Sequence, residues 1–233
     1  MRWLVNLALS SIGAKVVMAL TGLVLVAFLV GHMVGNLQVL GGQEPLNAYA
    51  AFLHSKPALL WVVRSGLILA AVLHIVSSVR LTWLNNAARP VAYAVKRPIL
   101  SSFASRNMLV TGLVVFAFLV YHLLQFTWRL TNPAFSQLHD AQGRLDVYSM
   151  VVLSFSERLI AGAYVVALLL LGLHLWHAIG STFQSLGLTT PKYRRLIDAV
   201  SLLVCAVLVV GNVSMPVAIL MGLVQLPAGV IAP

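Results

Sequence analysis

TGLVLVAFLVGH (residues 21–32) returns as TGLVVFAFLVYH (residues 111–122), with nine of twelve positions identical and a histidine closing both copies. Neither copy holds a charged residue, and each lies inside an apolar run. A hydrocarbon core of about 30 Å is crossed by about 20 such residues in a helix. Outward from the two copies, five runs meet that length, at roughly 12–40, 57–84, 107–130, 155–186 and 196–224. They predict an all-α integral membrane protein, with residues 1–233 forming a single membrane domain of five transmembrane helices. The composition agrees: 61% of the 233 residues are hydrophobic and 9% are charged, against roughly 45–50% apolar in a soluble domain.

That reading excludes several function classes. Little chain is left outside the spans, so no soluble catalytic domain fits, and a polar substrate is expected to be handled by partner subunits. Cys205 is the single cysteine, which rules out an intrachain disulfide. No C-x-x-C-H motif for covalent haem attachment is present. The opening MRWLVNLALSSIGAK has the arginine and short apolar run of a secretory signal. It lacks a small-residue cleavage pattern and runs straight into a full-length span, so it is expected to be retained.

The net charge of +10 does not read as a nucleic-acid surface, because the basic residues sit at span ends. Arg2 and Lys15 precede or begin the first span. Arg80, Arg89, Lys96, Arg97 and Arg106 surround the second connection, and Lys192, Arg194 and Arg195 form the fourth. The first connection, with Glu44 and Lys56, and the third, with Asp140, Arg144, Asp146, Glu157 and Arg158, are nearly balanced. The positive-inside rule then places the N-terminus and the even-numbered connections in the cytoplasm. Pro57, Pro90, Pro98, Pro191 and the Gly41-Gly42 pair fall in connections or at span edges, where they disturb no helix interior.

Of seven histidines, His54 and His139 lie in connections, and His32, His74, His122, His174 and His177 lie inside spans, where polar groups are costly and face a functional interior. Seventeen residues separate Lys15 from His32 and Pro57 from His74; sixteen separate Arg106 from His122 and Arg158 from His174. Four helices thus carry a histidine at one distance from their start, about 25 Å at 1.5 Å per residue. Successive spans run in opposite directions. His32 and His122 therefore share an outer level, and His74 and His174 a cytoplasmic one. Two imidazoles at one depth supply both axial ligands of an iron porphyrin, so the pattern predicts a bundle enclosing two b haems. Small residues beside the histidines, Gly31 and Gly35, Ser77 and Ser78, Gly172 and Ala178, are expected to make room for a broad rigid ring or to let helices pack closely. His177, three residues beyond His174 on nearly the same face, is the alternative ligand of that span, but it breaks the spacing and reads better as a haem-propionate partner. Lys15, Arg80 and Arg106 are further candidates for that task, though topology explains each at least as well.

Four segments, SSIGAKVVMALTGL, GHMVGNLQ, SRNMLVTGLVVFAFLVYHLLQFT and LGLHLWHAIGSTFQSLGL, resemble the cytochrome b-558 membrane-anchor subunits of the diheme succinate dehydrogenase/fumarate reductase (succinate:quinone oxidoreductase) family. The resemblance runs from about Ser10 to Val224. It implies a five-helix anchor in the bacterial cytoplasmic (inner) membrane, with two haem b groups ligated by His32 and His122 on the outer side and by His74 and His174 on the cytoplasmic side. It further implies a flavoprotein partner carrying FAD, a partner with iron–sulfur clusters, electron exchange with a quinone, typically menaquinone, and no succinate chemistry in the anchor itself. Some diheme relatives carry a glutamate close before the fourth-span histidine. Here Leu170, Leu171, Gly172 and Leu173 stand there, so an acid-assisted proton route of that kind is not expected. A quinone site near the outer haem would draw on the first connection, including His54. The competing readings are the diheme b subunit of another respiratory oxidoreductase and a transporter using histidines as a proton or metal relay. The relay would need acidic or amide partners in the spans, where Asn36, Gln38 and Gln125 are the available ones.

Overall fold

The computed structural model describes residues 10–88, 91 and 102–227. Arg2 and the opening segment, Arg89, Lys96 and Arg97, and Pro90 and Pro98 lie outside the described residues. The described chain is all-helical; its one β-type pairing is an isolated bridge between His139 and Leu145. Among the described residues, five helices are long and apolar enough to cross a membrane.

The first, α1 (Ser11–Asn36), starts where the Ser10 side chain accepts from Gly13 N at 2.9 Å, satisfying one of the donors a helix start leaves open. A 3-10 segment, Leu37–Gly41, leads to α2 (Gln43–His54). Pro57 opens α3 (Pro57–Ala87), where its missing N–H costs nothing. A single turn, α4 (Phe103–Arg106), precedes α5 (Met108–His122), which loosens into a π-helical turn over Leu123–Thr127. The run expected to begin a span near 155 is divided by extended backbone at Glu157 (ψ 111°), giving α6 (Val147–Ser156) and the fourth span α7 (Arg158–Ser185). The last is α8 (Arg194–Leu220). Gly187 and Gly222 take positive φ (74° and 70°) just past α7 and α8. In each case the next amide reaches back into the last turn, Leu188 N to Phe183 O and Leu223 N to Ala218 O, both at 2.9 Å.

The spans pack as a series of neighbours, α3 on α1, α1 on α7 and α7 on α5, with α8 laid along α7 and touching α1. No comparable packing joins α1 to α5 or α3 to α7. At one end, where α1 and α5 finish and α3 and α7 begin, α2 and α6 fold over the bundle and the largest buried cluster forms, with Val39, Leu46, Tyr148, Phe155 and Tyr164. The opposite end has no such cover among the described residues. Along the spans the surface is apolar: Val62, Ile68 and Leu69 of α3 are each at least 60% exposed. Water would penalise such a surface, and lipid tails solvate it.

Asp146, Asn47 and Ser149 are fully buried at the covered end. The Asp146 carboxylate accepts from Asn47 Nδ2 (2.9 Å), Gln43 Nε2 (2.7 Å) and Ser149 Oγ (2.6 Å). Asn47 also donates to Asp140 (3.1 Å) and accepts from Tyr148 N (3.0 Å). These bonds join the first connection to the third, and Arg144 adds an ion pair to Glu44 at the rim.

Candidate functional site

The four span histidines fall at two levels. Near the covered end, His32 of α1 and His122 of α5 meet with ring centroids 5.7 Å apart and planes at 88°, although their helices are not close neighbours. Farther along the bundle, His74 of α3 lies against Met18 and Thr21 of α1, and His174 of α7 lies against Thr111 of α5. Thr21 precedes His32, and Thr111 precedes His122, by eleven residues, so both helices separate the levels by about 16 Å at 1.5 Å per residue.

The hydrogen bonds decide which ring nitrogen is basic. His74 Nδ1 lies 3.1 Å from Met18 O, which can only accept, so the proton is on Nδ1. His174 Nδ1 lies 3.2 Å from Thr111 Oγ1, whose own hydrogen goes to Asn107 O (3.0 Å) or Met108 O (3.2 Å). His122 Nδ1 lies 3.3 Å from Tyr164 Oη, and that hydroxyl donates to Gln125 Oε1 at 2.7 Å. Asn36 Nδ2 donates to His32 Nε2 at 3.0 Å. For His74, His174 and His122 Nε2 is left as the basic nitrogen and an anchored Nδ1 carries the proton, which is the arrangement of metal-bound imidazoles. His32 differs, because its Nε2 already accepts from Asn36, whose amide would have to turn away before a metal could bind there.

The surroundings suit a flat apolar ligand. Phe28 stacks on His32 at 5.2 Å and 23°, while Phe118, Phe126 and Tyr164 pack around His122. A separate open apolar groove of about 570 Å³ between α1 and α3 runs from Thr21 to Phe28, past Gly66 and Ala70, and none of the four histidines lines it. The spans α1, α3, α5 and α7 contain no Asp or Glu, so the available donors are neutral imidazoles. Borderline transition metals such as haem iron take these, whereas hard cations prefer carboxylates. Neutral imidazoles in apolar surroundings are a donor set that would suit b haem, for which His32 with His122 and His74 with His174 would be the pairs.

Several expectations are redistributed. A Cβ on Gly35 would stand 2.6 Å from Tyr49, and one on Gly172 2.6 Å from Val209; both glycines serve helix packing, not the space beside a histidine. Gly31 has open space before it. Ser78 bonds its own helix at Ile75 O. His177 is half-buried on α7, and His54 and His139 are exposed, each bonding a local carbonyl. The sequence reading missed Tyr164, Thr21 and Thr111. The signal for the threonines was present, since each opens a copy of the repeat. Tyr164 had none, because nothing in α7 marks which face meets α5.

Compared with family models, with curated proteins and with solved structures, the chain matches none of them.

Proposed function

We propose that this chain is the membrane anchor and diheme cytochrome b subunit of a succinate:quinone oxidoreductase of the bacterial cytoplasmic membrane, passing electrons between an iron–sulfur partner and a membrane quinone such as menaquinone. The observation that carries this reading is the set of four histidines at two levels, of which His74, His122 and His174 each leave Nε2 as the basic nitrogen. A bound haem supplies a one-electron iron couple whose potential follows its axial ligands, hydrogen bonding and burial. The protein's own part is to orient the rings. Met18 O and the two threonines hold the proton on Nδ1 of His74 and His174, and Tyr164 does so for His122. Apolar walls keep water from both levels. The flavoprotein and the iron–sulfur subunit would dock at the basic end of the bundle, and succinate chemistry would belong to them.

A histidine relay is the second reading. It is favoured by the amides at the covered end, where Asn36 touches His32 and Gln125 reaches His122 through Tyr164. It is disfavoured by the other level, whose partners are hydroxyl and carbonyl groups of the neighbouring helix. One experiment separates the readings: the reduced-minus-oxidised absorbance spectrum of the purified protein, with haem extracted and counted. Two low-spin b haems per chain, at least one reducible by succinate when the partners are present, are the expected result. A colourless protein overturns the proposal and leaves the relay. Two haems that succinate cannot reduce in the complete complex point to a different respiratory oxidoreductase.

A further inference from the structure

Thr21 and Thr111 do the same thing twice. Each opens a copy of the repeat, and each lays its hydroxyl oxygen against Nδ1 of a histidine from the following span, at 3.3 Å for His74 and 3.2 Å for His174. The neighbouring glycine is also used twice. A Cβ on Gly22 would come within 3.3 Å of His74 Cε1, and one on Gly112 within 3.4 Å of His174 Cε1, so each ring packs closely against a Thr-Gly step. Both hydroxyl hydrogens are committed to the threonine's own helix, Thr21 to Val17 O at 2.7 Å and Thr111 to Asn107 O at 3.0 Å. Each oxygen therefore faces the imidazole as an acceptor.

We propose that Thr21 and Thr111 are positioning residues that set the donor strength of His74 and His174 toward a bound haem, and that Gly22 and Gly112 give them the close approach this requires. An acceptor on Nδ1–H draws that proton outward and makes Nε2 a stronger ligand. A stronger imidazole donor favours the ferric state, so the two threonines hold the potential of this level down. The two contacts differ in weight. His74 Nδ1 has a second acceptor in Met18 O, whereas Thr111 is the Nδ1 partner of His174 among the described hydrogen bonds. Thr111 thus carries more of the effect. The inference rests on the haem reading proposed above.

The test is a spectroscopic redox titration of the full complex carrying Thr111→Val, Thr111→Ser, Thr21→Val or Thr21→Ser, with the ferric electron paramagnetic resonance signals recorded alongside. Thr111→Val is expected to raise the potential of one haem and leave the other in place. At fixed ambient potential its reduced-to-oxidised ratio should change roughly tenfold, about 59 mV for a one-electron centre. Thr21→Val should move the same haem by less, and both serine variants should restore the wild-type value. Loss of that haem in a valine variant and its retention in the matching serine variant also supports the assignment. Unmoved potentials in both valine variants overturn it, as do equal shifts of both haems or serine variants as damaged as the valine ones. A wild-type protein without haem overturns the functional reading as well; two wild-type haems with unresponsive variants overturn this inference alone.

Discussion

The two histidine levels are built by different means. At the covered end, His32 and His122 sit among aromatic rings beneath α6, and their polar partners are side chains: Asn36, and Tyr164 backed by Gln125. At the other level His74 and His174 lean on the backbone and threonines of the adjacent helix, and the helix carrying His74 is mostly exposed to its surroundings. A helix carbonyl cannot move without its helix, whereas a tyrosine or an amide swings on its own rotamer. The Thr-Gly level is therefore set by helix packing, and the aromatic level by side chains that can respond to what binds there.

The largest effect should come from cutting one level at a time. His32→Ala and His122→Ala are each expected to remove one haem, as counted by extracted haem and the reduced-minus-oxidised band, and the double variant should lose no more than either single one. His74→Ala and His174→Ala should remove the other, whereas His32→Ala with His174→Ala should remove both. A His32/His122 double variant with no haem at all would break the pairing.

Tyr164→Phe sharpens the comparison. It removes the acceptor of His122 Nδ1–H and leaves Gln125 Oε1 buried without its donor, a cost of about 1–3 kcal/mol. The expected result is a lower midpoint of thermal unfolding in detergent, together with a raised potential confined to the aromatic level. A shift at the Thr-Gly level instead would place Tyr164 in the wrong pair.

A smaller effect should follow at the Asp146 cluster. Burial pushes this carboxyl up, but hydrogen bonds from Ser149, Asn47 and Gln43 outweigh it, and the net position is below the ordinary aspartate value. A depressed carboxylate stabilises the fold fully above its unfolded value of about 3.9. That stability is lost as pH falls through the lower folded value. Asp146→Asn is expected to flatten the loss of thermal stability between pH 5 and pH 3, read by unfolding at several pH values within about that range. The smallest effect is at the rim. The Arg144 hydrogen bond holds the Glu44 carboxyl below its usual value, yet Glu44 is well exposed. Glu44→Gln should leave thermal stability unchanged, since exposed ion pairs are weak.

The spans were legible because length and apolar content are properties of the chain: α1, α3 and α8 fall within a few residues of the runs marked from sequence, and α5 does so once its π-helical turn to Thr127 is included. The break at Glu157 was not. An apolar run continues on both sides of it, and what separates α6 from α7 is the burial of Tyr148 and Phe155 under the covered end, a contact between distant segments. The four histidines were legible by their common spacing. The sequence left Gly35 and Gly172 between two uses, and the structure puts both at helix packing, since whether a small residue faces a ligand or a helix depends on how that helix is rotated.

The sequence by itself determined five apolar spans and, through the sixteen or seventeen residues from the start of each of four spans to its histidine, two histidine levels, because a helix has a fixed rise. Only the tertiary structure decided that the start of each repeat seats a histidine from the following span, that His122 leans on Tyr164, and that His74, His122 and His174 are each anchored through Nδ1. Those facts depend on which helices are neighbours and which faces they turn to one another, and neither rise nor periodicity specifies that.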